Sequence, residues 1–246
     1  MIALPQPRTL ALEVVAVDDI SPSFRRIDLS GPDLVGFAHA PGQDLMLVLP
    51  GKGAAGVSRR YSIRRADATT GLVELNVVRH GDGPAARWAR ATQPGERLPE
   101  VVGPRGKISL APGAEWHLFL GDETYVPATL AMLEALPAGS QGVAALEVAG
   151  PEDEQQLNSA GEATVAWLHR GGAERGDPER LVRWLSDQRP PPGPGHVYIA
   201  GEVRVALALR DLALAQGYDR EQLSTKGYWI RGRANADRGE PDTPAD

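Results

Sequence analysis

The feature that most limits what this chain can fold into is a change of hydrophobic rhythm at Ala111-Pro112-Gly113-Ala114. Before it, apolar residues alternate in short runs at residues 10–17, 24–29, 45–49, 60–64 and 72–78, separated by Gly, Pro, Asp and Ser. A period of two fits half-buried strands, and several short strands in succession predict a small antiparallel barrel. One helix is expected within it, at Pro84–Ala91, where Pro suits the first helical position and alanines follow. After the change, apolar runs at 116–120, 143–148, 164–168 and 197–200 alternate with helical patterns near 126–136, 178–187 and 202–215. Strand–helix alternation requires crossovers and so predicts a parallel sheet.

The expected fold class is therefore two-domain β plus α/β. An N-terminal antiparallel β-barrel would span residues 1–112, and a C-terminal parallel-sheet α/β domain residues 113–232. The proline-rich stretch 189–195 reads as a surface loop. Residues 233–246, almost all small or charged, read as a disordered tail.

With 246 residues, 42% of them hydrophobic, the chain can bury a sizeable core. Its 26 basic against 32 acidic residues give a net charge of −6, which argues against a nucleic-acid partner held by phosphate neutralisation. There is no cysteine, so disulfides, thiolate metal sites, iron–sulfur clusters and cysteine nucleophiles are excluded. Any electron chemistry must then use a borrowed cofactor. No apolar run approaches the roughly 18 residues of a membrane span, and the first ten residues do not read as a leader. The expectation is a cytoplasmic protein without a membrane partner.

Gly51-Lys52-Gly53-Ala54-Ala55-Gly56 matches a dinucleotide-binding fingerprint, but the residues after it read as a strand and not the required helix. A loop joining two barrel strands explains the glycines more simply. The next segment, Arg59-Arg60-Tyr61-Ser62-Ile63-Arg64, puts Arg59 and Tyr61 on one face of a strand and Arg60 and Ser62 on the other. Further on, His80-Gly81-Asp82-Gly83-Pro84-Ala85-Ala86 is a glycine-rich turn opening a helix, which aims backbone N–H groups at an anion. A guanidinium beside a flat ring, followed by such a turn, suits an aromatic ligand carrying a diphosphate.

These motifs continue in Val102-Gly103-Pro104-Arg105-Gly106, Gly121-Asp122-Glu123-Thr124 with Pro127-Ala128, Trp167-Leu168, Ala200-Gly201-Glu202 with Arg210, and Gly227-Tyr228-Trp229-Ile230-Arg231-Gly232. In this order and spacing the chain resembles the siderophore-interacting protein family, flavin-dependent ferric-siderophore reductases of the ferredoxin-reductase superfamily. The resemblance implies a flavin-binding barrel, then a nucleotide-binding α/β domain. Arg59 would pair with the FAD diphosphate, Tyr61 would lie against the isoalloxazine, and Ser62 would approach flavin N5. His80, Gly83, Pro84, Ala85 and Ala86 would hold the other part of FAD, with the amides of Ala85 and Ala86 on the diphosphate. Many relatives have a hydroxyl residue where Ala86 stands, so one phosphate hydrogen bond would be missing here. The turn at Gly103–Gly106 would close the barrel over the flavin, or be a plain turn. Tyr228 and Trp229 would sit near the flavin face on the last strand, or pack in the core.

For the electron donor, NAD(P)H, the resemblance points to Thr124, Gly201 and Glu202, with Thr124 equally able to cap the following helix. His169, Arg170 and Arg175 would grip the 2′-phosphate of NADPH, or form a solvated basic loop. Asp122 and Glu123 stand where the wider superfamily has glycines, and would repel a diphosphate. The implied substrate is a ferric siderophore, met in an open cleft by Lys52, Arg64, Arg65 and Arg231. Electrons would pass from NAD(P)H through FAD to Fe(III). Two alternatives stand beside this: the same flavoprotein driven by ferredoxin, and a binding protein that captures iron chelates without turning them over. A monomer is favoured.

Overall fold

The computed structural model describes residues 4–49, 56–79, 81 and 83–232. The chain divides into two compact units, Met1–Ser109 with Leu130–Met132, and Leu110–Thr129 with Leu133–Asp246.

The first unit is a closed antiparallel barrel of six strands, β1 (Arg8–Asp19), β2 (Phe24–Ser30), β3 (Asp44–Leu49), β4 (Val57–Asp67), β5 (Leu72–Val78) and β6 (Arg97–Arg105), in the order β1-β2-β5-β4-β3-β6. Alternate residues point inward: Leu10, Leu12 and Val14 of β1, Ile27 and Leu29 of β2, Leu45, Leu47 and Leu49 of β3, and Val73, Leu75 and Val77 of β5 share one buried core. That alternation fixes the register, because a slip of one residue would turn each apolar set outward. In the β4–β5 pairing the register shifts between Ile63 and Arg65. A bulge of this kind re-aims the side chains around it, and it falls just after the Arg59–Ser62 motif.

Helix α1 (Pro84–Ala91) has the bounds expected from the sequence and drives Trp88 and Ala89 into the barrel core. Gly103, Pro104 and Arg105, expected in a turn, instead lie within β6, which pairs with both β1 and β3 and so closes the barrel. The expected loop 51–56 lies outside the described residues except for Gly56. The strand after it, β4, excludes the helix that a dinucleotide fingerprint would need there.

The second unit is a five-stranded parallel sheet in the order β11-β10-β7-β8-β9. Its strands are β7 (Trp116–Asp122), β8 (Gln141–Val148), β9 (Glu162–His169), β10 (Gly195–Glu202) and β11 (Leu223–Trp229), and its helices α2 (Val126–Glu134), α3 (Glu179–Ser186) and α4 (Val203–Ala215). Every residue of β7 is buried, as befits a central strand covered on both faces. Leu181 and Leu185 of α3 and Val205, Ala206, Leu209 and Ala213 of α4 pack with Leu118, Leu120, Val197 and Ile199 of the sheet. From β7 the chain moves outward through β8 and β9, then returns to lay β10 on the other side of β7. The strand order therefore reverses between β7 and β10, the place where open parallel sheets bind ligands. The expected tail 233–246 lies outside the described residues. None of the described helices is long and apolar enough to cross a membrane.

Candidate functional site: an open helix terminus and a filled one

In the barrel unit, β4 sorts the Arg59–Arg64 motif by face. Arg60 makes a bidentate pair with the buried Asp44, at 2.8 Å from Nε to Oδ1 and 2.6 Å from Nη2 to Oδ2, so this arginine is spent on the barrel itself. Arg59 instead donates to a backbone carbonyl, Ser58 O at 2.6 Å. Tyr61 stands across from Leu45 in the β3–β4 register, and its ring centroid lies 5.9 Å from that of Trp88. Its hydroxyl is buried with no hydrogen-bond partner, and burial pushes its pKa upward. Ser62 is buried beside Asp44 in the same register. Trp88 serves packing, with its Nε1 donating to Glu96 Oε1 at 3.0 Å.

Helix α1 begins at Pro84 behind Gly83, whose extended backbone (φ −67°, ψ 167°) turns the chain into the helix without any side-chain cap. The carbonyl of Gly83 is used by Arg87 N at 3.0 Å. The first-turn amides of Ala85 and Ala86 have no acceptor within the helix, as at any helix start. A Cβ built on Gly83 or on Gly81 would meet nothing within 4 Å. Open amides, an arginine on the neighbouring motif and an orphaned tyrosine hydroxyl beside an indole fit a flat ring with a diphosphate. Ala86 is buried, and its methyl adds no donor there. His80, Asp82 and Lys52 lie outside the described residues.

The α/β unit presents the opposite case. At its switch point, Asp122 ends β7 and Glu202 ends β10, and both are buried, 4% and 0% exposed. Asp122 Oδ1 accepts Thr124 N at 2.9 Å and the Thr124 hydroxyl; Asp122 Oδ2 accepts Glu202 N and Trp229 Nε1, each at 2.8 Å. Glu202 caps α4, with Oε2 accepting Arg204 N at 2.6 Å and Val205 N at 3.1 Å, while Oε1 accepts Arg231 N at 3.1 Å. Gly201 between them has φ +137°, and a Cβ there would lie 2.5 Å from Asp122 Oδ2. Only glycine lets the two strand ends come this close.

Next to this pair lies a buried ion cluster. Arg170 donates to Glu123 Oε2 at 2.8 Å and to Glu147 Oε1 at 3.1 Å; Arg175 pairs with Glu123; Arg180 lies 3.7 Å from Glu147. Burial, only partly offset by Arg170, pushes the Glu147 carboxyl above its usual range, and burial lowers Arg175 to about 10, so it stays charged at neutral pH. The guanidinium of Arg175 lies 5.7 Å from the Trp229 ring centroid.

Several expectations change accordingly. Arg170 is 8% exposed and saturated by carboxylates, so it is an internal counterion and not a grip for a 2′-phosphate. Arg175 belongs to the same cluster. His169 is exposed and paired with Glu154 at 2.7 Å. Glu202 and Gly201 serve the fold, and Thr124 is held by Asp122 in the turn before α2. Trp229 is pinned by Asp122, and Tyr228 packs edge-on against Tyr125 at 5.7 Å and under Lys226 at 5.4 Å. Among the residues expected in an open cleft, Arg64 is 4% exposed, Arg65 lies 3.8 Å from Glu74, and Arg231 pairs with Glu174. The sequence reading missed Asp44, Glu147 and the capping role of Glu202. Each acts through partners distant in sequence, which no local pattern announces.

A closed antiparallel barrel followed by a parallel α/β unit defines the ferredoxin-reductase architecture. A ferredoxin reductase of a carbazole dioxygenase system, 20% identical with a TM-score of 0.73, shares this fold. Residues 49–108 match the siderophore-interacting FAD-binding domain and residues 114–232 the siderophore-interacting protein family. A siderophore utilization protein from T. fusca superposes with a TM-score of 0.87 at 32% identity, over 96% of this chain and 98% of that one. The chain belongs to the siderophore-interacting protein family. It is similar to the ferric vibriobactin reductase ViuB of Vibrio cholerae, 28% identical over 90% of this chain and 89% of that protein. It is also similar to the NADPH-dependent ferric-chelate reductase of Escherichia coli, 27% identical over 89% and 91%. An uncharacterized Mycobacterium tuberculosis protein is 37% identical over 71% of this chain, and the match spans 65% of that protein's length.

Proposed function

We propose that this protein is an FAD-dependent ferric-siderophore reductase of the cytoplasm, drawing electrons from NAD(P)H and releasing Fe(II) from its chelate. The observation that carries the reading is the uncapped N-terminus of α1 beside the Arg59–Ser62 strand, with the unpartnered Tyr61 hydroxyl. Bound FAD would supply the redox chemistry, accepting a hydride and giving up single electrons to Fe(III). The chain's own residues bind and orient. The amides of Ala85 and Ala86 and the fork of Arg59 take the diphosphate, Tyr61 backs the ring, and Ser62 offers a hydroxyl near N5, with His80 completing the set. No protein general base is needed, since the cofactor carries the reaction. Iron leaves because hard oxygen chelators hold Fe(II) more weakly than Fe(III).

The names of the similar reductases support a ferric chelate as substrate, and its anionic class suits a cation at Lys52 in an otherwise acidic protein. Ferredoxin is the rival donor, favoured by the internal use of the switch-point carboxylates. One cuvette decides between them: the visible spectrum of the purified protein, recorded anaerobically before and after NADPH and then ferric chelate. Flavin bands that bleach with NADPH and return with chelate are expected. A colourless protein that takes up no FAD would remove the reductase reading, and bleaching by reduced ferredoxin but by neither nicotinamide would transfer it to that donor. The substitution Lys52→Ala is expected to raise KM for an anionic chelate at unchanged flavin content.

A further inference from the structure

The ring of Tyr61 is half-buried and packs on the barrel core, yet no hydrogen bond fixes it, because its hydroxyl has no partner. A tyrosine on a strand chooses among staggered side-chain rotamers, and its neighbours decide which one it holds. Its aromatic neighbour is Trp88 of α1, with the ring centroids 5.9 Å apart and the planes inclined by 36°. Trp88 belongs to the helix whose start has no side-chain cap, so one element serves both the anion and the ring.

Trp88 is 6% exposed, and an indole offers one donor and no acceptor. Once buried, that N–H needs an oxygen, and where the oxygen lies selects how the indole is turned. Glu96 supplies it, with Oε1 accepting Trp88 Nε1 at 3.0 Å. The other oxygen, Oε2, accepts the hydroxyl of Thr92, a residue 2% exposed whose own N–H donates to Trp88 O at 2.8 Å. Both carboxylate oxygens are therefore used inside the protein. Glu96 is held in turn by its backbone: its N–H donates to Gln93 O at 3.2 Å, and its carbonyl accepts Val14 N of β1 at 2.9 Å. Gly95 N strengthens the same strand contact, donating to Val14 O at 2.8 Å. A continuous set of contacts thus runs from β1 through Glu96 and the indole to the ring of Tyr61. Tying down the end of α1 would need only Thr92 and the backbone. The remaining carboxylate oxygen goes to the side chain that meets Tyr61.

We propose that Glu96 is a positioning residue of the flavin site: by fixing the Trp88 indole it sets the tilt of the Tyr61 ring against which the isoalloxazine lies, without itself touching the cofactor. The inference rests on the FAD reading above and deepens it. A platform that tips changes how the flavin stacks, so the affinity and optical activity of bound FAD report the tilt, which the stability of α1 does not.

The test uses the whole chain, with FAD as the ligand. Affinity is measured by flavin fluorescence titration, the setting of the ring by visible circular dichroism of bound flavin, and stability by the melting temperature without cofactor. Glu96→Ala is expected to weaken FAD binding about tenfold and to change the flavin dichroism. Glu96→Gln, whose amide oxygen still accepts the indole N–H, should stay within about threefold of the parent and keep its band. Trp88→Phe keeps a flat ring without the donor, so it should reproduce the effects of Glu96→Ala, and combining the two should add less than about twofold. A Glu96→Ala protein that melts lower but keeps the parent affinity and dichroism has lost a structural bond only, and overturns the inference. So does a Glu96→Gln protein as impaired as Glu96→Ala, or losses at Glu96 and Trp88 that simply add. If Glu96→Ala does not fold, Trp88→Phe and Glu96→Gln decide: altered dichroism in the first with the parent band in the second supports the inference, and any other pairing overturns it. A parent protein that takes up no FAD removes the cofactor reading, and the inference with it.

Discussion

Arg170 shows how much a single residue can be asked to do. It enters from the end of β9 and bridges carboxylates that follow β7 and end β8, with Glu123 and Glu147 1% and 2% exposed. Removing one partner of a buried pair strands the other's charge, so Arg170→Met should destabilise the protein by about 3–5 kcal/mol in guanidinium unfolding. A loss below about 1 kcal/mol would show that Arg175 and Arg180 suffice without it. His196 makes a second case, with its own sign. Burial, then the neighbouring His117, lowers its pKa from 6.5 to about 4, and its Nε2 lies 2.9 Å from Ser224 Oγ. Between those values the unfolded chain binds a proton that the native one does not. Its stabilising contribution is therefore full above pH 6.5 and drains away as pH falls toward 4. Chemical unfolding across that range should show stability falling with acid, and His196→Gln should flatten the slope. Sequence reading put Arg59, Tyr61 and Ser62 on a strand, as observed, because the period of two is legible locally. It misassigned Arg170 because a basic residue after a strand looks solvated until Glu123 and Glu147 are brought beside it by the sheet.

At the scale of elements the two helix starts explain each other. Helix α1 opens behind glycine with no side-chain cap, whereas α4 opens behind Glu202 with its carboxylate on two amides. The first leaves its opening amides without a side-chain acceptor, and the second supplies one. Moving the plug should move the property. Gly83→Asp is compatible with the extended backbone at that position and with the space around it. As an N-cap in place of glycine it should raise stability by about 0.3–0.5 kcal/mol, while its carboxylate competes with the diphosphate for the amides of Ala85 and Ala86. The expected pair of results is a higher melting temperature without cofactor and FAD affinity at least about tenfold weaker by flavin fluorescence titration. Weaker binding with a lower melting temperature would mean the fold was damaged, and would not support competition. Helix α1 was legible to the residue, since Pro at its start and alanines after it leave little choice. The strand character of Gly103–Arg105 was not, because Gly and Pro signal a turn locally, and only pairing with β1 and β3 on either side makes them a barrel strand.

At the scale of the molecule, ligand chemistry is divided between two units of opposite local character. The barrel supplies cations and open donors, whereas the sheet's carboxyl edge has turned its polar groups on one another. Two textures were visible in the sequence from the change at Ala111–Ala114. The turn at 81–86 also pointed to the barrel as the place for an anion, whereas the way the sheet's carboxylates are held was not visible, because it depends on hydrogen bonds spanning up to 107 residues, such as Trp229 to Asp122. A ligand that binds only folded protein stabilises what it binds, by about 2.7 kcal/mol at a hundred times its Kd. FAD should therefore stabilise the barrel by about this amount, and amide hydrogen exchange can show where. Adding FAD should slow exchange at Ala85 and Ala86, whose amides gain an acceptor, and along β4. Exchange at Arg204, Val205 and Thr124 should stay as it was, because Glu202 and Asp122 already hold those amides. Protection appearing at the α4 start and missing at α1 would invert the assignment, placing the cofactor's phosphates in the unit whose carboxylates already hold its helix-start amides.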